Sequence, residues 1–124
     1  MVYKDIVDEQ DSVLRHLEEE LMKKNININD IKRVRLVDKE GKIYFKDYED
    51  IFLIFTKNDK IKIIEADFHA ENEHVFFLLK HGEIYQDQFN REYDELILLS
   101  YEINQETINQ AKSQGVKVIY KKKL

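Results

Sequence analysis

Asp50-Ile51-Phe52-Leu53-Ile54-Phe55, then Lys57-Asn58-Asp59-Lys60, then Ile61-Lys62-Ile63-Ile64-Glu65-Ala66-Asp67, is the pattern of two neighbouring strands at the centre of a sheet. Residues 51–56 are apolar on both faces of an extended chain, as a strand in the middle of a sheet would be. The polar quartet 57–60 reads as a hairpin turn, and 61–67 returns as the next strand. Side chains repeat every two residues along a strand. Glu65 and Asp67 therefore share a face with Ile61 and Ile63, and Lys62 lies on the other. Carboxylates at the end of so apolar a strand need partners if they are buried.

On the N-terminal side, residues 3–24 read as a helix, with Ile6, Val13, Leu14, Leu17 and Leu21 on one side. Lys23 and Lys24 suit its C-terminal dipole. The Asn-rich run 25–30 is a loop or tight connection. Val34 and Leu36, a turn at 38–41, and Ile43 and Phe45 read as a hairpin with one wet face. On the C-terminal side the period becomes helical from about 70 to 89, with Val75, Leu78, Leu79, Gly82, Tyr85 and Phe89 in a stripe. Residues 96–99 form a short buried strand. Asn104 caps a helix that runs to about Gln114 and stops at Gly115, and 116–120 is the last strand. The order is α-β-β-β-α-β-α-β, with an extra turn or strand near the first hairpin. Right-handed crossovers make the last two strands parallel. This is an α/β chain: a mixed sheet flanked by helices.

At 124 residues the chain is expected to form one domain, 1–124, with an N-terminal helix 3–24 and a core over 31–120. Hydrophobic content of 43% against 36% charged residues separates it from disordered chains. No apolar run approaches the roughly 20 residues of a membrane span, and no signal-peptide pattern opens the chain. With no Cys there is no disulfide framework and no thiolate metal site, and a cytoplasmic setting is expected. A net charge of −5 argues against a nucleic-acid coat protein, although carboxylates are what a metal-dependent enzyme needs. There is no Gly-rich phosphate loop, and Ser12, Ser100 and Ser113 sit in no nucleophile motif. His69, His74 and His81 lack zinc-ligand spacing and read as surface residues. Lys121, Lys122 and Lys123 read as a solvated tail.

Three stretches carry a resemblance. The first is Asp50 leading a strand, a short turn, and Glu65-x-Asp67 ending the next. The second is the helix ending Glu83-Ile84-Tyr85 before a buried strand. The third is Leu96-Ile97-Leu98-Leu99-Ser100, a helix within 103–115, and Val116-Lys117-Val118-Ile119. In this order, over residues 31–120, they resemble the PD-(D/E)XK superfamily, the restriction-endonuclease-like fold, and within it small archaeal members related to Holliday junction resolvases. The resemblance implies metal-dependent cleavage of DNA phosphodiesters. Asp50 and Glu65 would hold Mg²⁺ or Mn²⁺, with Asp47 or Glu49 as alternatives to Asp50. The metal would lower the pKa of a bound water and offset phosphate charge. The family places a Lys two residues after the Glu. This chain has Asp67 there, which cannot supply positive charge and would act as a further ligand. The reading is thus a nuclease-like protein, active or catalytically degenerate. The alternative is a non-enzymatic, dimeric protein-interaction module. Phe76 beside Phe77 puts apolar surface on more than one face of the 70–89 helix, and a homodimer is expected on that ground.

Overall fold

The computed structural model describes residues 3–124. The elements run α1 (Tyr3–His16), α2 (Glu18–Met22), a 3-10 turn (Ile28–Asp30), β1 (Ile31–Asp38), β2 (Tyr48–Lys57), β3 (Lys60–Ala70), α3 (Asn72–Phe89), β4 (Glu95–Ile103), α4 (Gln105–Ser113) and β5 (Lys117–Lys123). The sheet has five strands in the order β1-β2-β3-β4-β5. β1, β2 and β3 are antiparallel, while β3, β4 and β5 are parallel through the α3 and α4 crossovers. The architecture is α/β, a mixed sheet with helices on both faces.

Two apolar layers follow from strand alternation. Ile64, Ala66, Ile97 and Leu99 meet Val13 and Leu14 of α1, Leu21 of α2 and Leu17 between them on one face. Phe52, Ile61, Ile63, Leu96 and Leu98 meet Val75, Leu78, Ile84, Ile108 and Ala111 of α3 and α4 on the other. Each fully buried Val, Leu, Ile or Phe among them contributes about 1.5–3 kcal/mol. Asn104 accepts the Thr107 amide at 2.9 Å and so caps α4. Gly115, at φ 74°, ends it in the left-handed turn that the sequence suggested.

The expected helix over 3–24 is broken. Leu17 leaves helical geometry (φ −111°, ψ 14°), and its amide is shared between the carbonyls of Val13 and Leu14. The one-residue break keeps both Leu17 and Leu21 fully buried over the sheet. The expected hairpin after β1 is also corrected. Residues 43–46 form no strand, and β1 pairs directly with β2, from Ile31↔Phe55 to Asp38↔Tyr48. The cause is Asp38. Its buried carboxylate accepts the amides of Ile43 (3.1 Å) and Tyr44 (2.7 Å), and its carbonyl accepts those of Gly41 and Asp47. Those amides are thereby withdrawn from any ladder. Gly41 turns at φ 70°, where a Cβ would lie 2.5 Å from the Lys46 nitrogen.

The sheet's two outer strands are basic. β1 carries Lys32, Arg33 and Arg35, and β5 carries Lys117, Lys121, Lys122 and Lys123. Gln88 of α3 also bonds the Val37 amide (2.9 Å) and the Arg35 carbonyl (3.3 Å) on β1. Among the described residues, no helix is long and apolar enough to cross a membrane.

Candidate functional site

The pairing of β2 with β3 stops early. It runs from Lys57↔Lys60 only as far as Leu53↔Ile64. Beyond that point β2 continues alongside β1 to Tyr48, and β3 continues alongside β4 to Ala70. The sheet therefore divides, and polar side chains fill the fork. Asp50 stands on one prong and Glu65 and Asp67 on the other, so all three residues singled out in the sequence come together. From α1, Gln10 donates to the Ile51 carbonyl at 3.2 Å, and Glu9 lies 3.5 Å from the Phe68 amide. These contacts give partners to backbone groups beside the split. Asp47 and Glu49, the alternatives to Asp50, lie elsewhere: Asp47 is exposed in the loop, and Glu49 pairs with Arg35. Lys62 faces away and meets Glu95 at 3.6 Å.

His81 closes the fork, and this corrects its expected place on the surface. Its side chain is 2% exposed. Nε2 lies 2.9 Å from Asp50 Oδ2, and Nδ1 lies 3.6 Å from Glu65 Oε1, without a hydrogen bond. The Tyr48 hydroxyl donates to the same Asp50 oxygen at 3.1 Å, and the Ile51 amide donates to the other at 2.8 Å. Burial pushes the Asp50 pKa up, but His81 and these donors outweigh it and hold the pKa below the usual carboxylate value. Burial, with Asp50 beside it, raises the Tyr48 hydroxyl.

Glu65 and Asp67 behave oppositely. Burial, reinforced by the Asp67 charge, lifts Glu65 well above its ordinary value. Burial lifts Asp67 to about 6, with His74 pulling the other way. Both carboxyls therefore hold their protons more tightly than an ordinary carboxyl. Asp67 Oδ1 lies 3.5 Å from His74 Nε2, while Oδ2 is buried without a hydrogen-bond partner. His74 Nδ1 accepts the Glu71 amide at 2.8 Å as half of the capping box that opens α3. Nε2 therefore carries the proton and faces Asp67.

His74, Leu78, His81 and Tyr85 follow one another at spacings of four, three and four. That places both imidazoles on the inward stripe of α3. The spacing was the available signal for His81. Glu9, Gln10 and Tyr48 had none, because only the folded sheet brings them to the split.

The fork thus gathers the carboxylates of Asp50, Glu65 and Asp67, two imidazoles and a phenol. Among the described residues none of these groups pairs with an ammonium or guanidinium, and Arg33 reaches the fork through Gln10, donating to its Oε1 at 2.9 Å. Such oxygens and imidazoles are metal donors by type. Among the described residues, however, no three or more of them are arranged to hold an ion. His81 spans the space between Asp50 and Glu65, where a shared ion would need to sit. Comparison with protein-family models, curated proteins and solved structures returned no match.

Proposed function

We propose that this chain is a PD-(D/E)XK nuclease-like domain, related to DNA processing, whose cleavage site is catalytically degenerate. One observation carries the reading. The Asp50–Glu65 pair sits in the split between β2 and β3, with the buried His81 ring between the carboxylates. Metal-dependent cleavage needs an ion held by both acids, which lowers the pKa of a water and offsets phosphate charge. Here the ring occupies that space. Asp67 adds a carboxylate where the family has its Lys, so the charge next to an incoming phosphate is repulsive.

Cleavage of branched and linear DNA with Mg²⁺ or Mn²⁺ tests this. Wild type is expected to cut nothing that Glu65→Ala does not also cut. Metal-dependent cutting by wild type that Glu65→Ala abolishes would overturn it. The paired variant His81→Ala with Asp67→Lys is the constructive arm, since it empties the space and restores the missing cation.

A second reading is favoured by a separate observation and is compatible with the first. Tyr44 (36% exposed), Phe45 (53%) and Phe76 (49%) form an open aromatic surface over Tyr48 and Phe77. Clustered rings of this kind mark protein contacts. The domain would then act as an interaction module and self-associate as a homodimer through this surface.

A further inference from the structure

At the opposite end of the parallel strands from the fork lies a recess of about 420 Å³. That is within the range of small-molecule pockets. Its floor is apolar: the half-buried Val118 is the part a ligand can reach, backed by Ile26, Ile97 and Val116, each at most 2% exposed. Its walls carry Lys24, Lys62, Lys112 and Lys117, with Glu95 as the one carboxylate. Four ammonium groups against one carboxylate leave the recess three charges positive, on a chain whose net charge is −5.

Glu95 is already shared, by Lys117 at 2.8 Å and Lys62 at 3.6 Å. Lys24 and Lys112 have no carboxylate within ion-pair distance among the described residues. The C-terminal end of α4 borders the recess, and a bare helix end would repel an anion. Here the Ala111 and Lys112 carbonyls are taken by the amides of Gln114, Gly115 and Val116, which weakens that repulsion.

The geometry points to a binding site for a small amphipathic anion: an apolar body against Val118 and the aliphatic stems of the lysines, and a phosphate or carboxylate head between Lys24 and Lys112. This site is independent of the fork and stands whether or not the nuclease-like reading does. Neither charge nor floor would suffice alone. Exposed lysines hold an anion weakly in water, and a neutral ligand would leave the ammonium groups unused.

The probe is anilinonaphthalene sulfonate, an apolar ring system with one anionic head, titrated by fluorescence into the folded protein. Saturable binding is expected, absent for the uncharged phenylnaphthylamine. Lys24→Gln with Lys112→Gln should weaken it roughly tenfold, as two partly screened charge contacts would. Both lysines are exposed, and an unchanged melting temperature shows the fold is kept. Phe76→Ala should leave binding unchanged, which separates the recess from the aromatic surface. Displacement by a nucleoside monophosphate would support a phosphate head, and displacement by a short fatty acid a carboxylate head. Full-strength binding to the double lysine variant, loss with Phe76→Ala, or displacement by neither competitor would overturn the proposal.

Discussion

The fork sets two carboxylates against each other in their response to pH. Asp67 binds its proton more tightly folded than unfolded, so the folded state holds the extra proton between about pH 4 and 6. Stability must fall as pH rises through that window, and the whole penalty is present above it. Asp67→Asn removes the charge at nearly constant shape. The variant is expected to be more stable than wild type by on the order of 2 kcal/mol at pH 7.5 and to match it at pH 4. Urea unfolding at the two pH values measures this, and a variant less stable at pH 7.5 would contradict it. Asp50 has the opposite sign: its lowered pKa gives stability that is present above the ordinary Asp value and lost as pH falls below it. His81→Ala strips that carboxylate of its ring partner and leaves it half-buried. A loss of about 3 kcal/mol in the same assay is expected. At this scale the sequence was half legible. Strand parity alone aligned Glu65 with Asp67. Parity could not reveal that His81 would be their neighbour, because its bond to Asp50 spans 31 positions of chain.

Elements read well where periodicity was backed by packing, and poorly where one buried polar group redirected the backbone. β2, β3 and β4, α3 and the Asn104 cap follow from apolar runs and capping chemistry. The 43–46 segment alternates like a strand, yet Tyr44 and Phe45 pack against the Tyr48 ring at the surface rather than into the core. The decision lies with Asp38, which is 1% exposed and takes four backbone amides. Asp38→Ala leaves the Ile43 and Tyr44 amides without their acceptor. It should cost about 2 kcal/mol and loosen the loop, which amide hydrogen exchange at residues 41–47 would register as faster exchange. Unchanged protection there would show that the rings, rather than the carboxylate, hold the loop.

For the whole molecule, self-association depends on which surfaces are open. Sedimentation of wild type beside Phe76→Lys is the direct measurement. A dimer that dissociates in the variant is expected, and a monomeric wild type would remove the homodimer. Here adjacent Phe76 and Phe77 were the only legible hint, since the partner rings Tyr44 and Phe45 come from a distant loop. The basic outer strands limit the other route. A five-stranded sheet ends in two rows of backbone groups that invite a further strand, whether from another copy or from an aggregate. Lys32, Arg33 and Arg35 line one rim, and four lysines line the other. Arg33, Arg35, Lys117 and Lys121 are already paired with carboxylates of the same chain, but Lys32 on one rim and Lys122 and Lys123 on the other have no acidic partner among the described residues, so unpaired cations meet whichever rims two copies bring together. Growth of the kind that ends in fibrils is discouraged by those cations and, on β1, by Gln88, which already occupies the Val37 amide and the Arg35 carbonyl that an added strand would need.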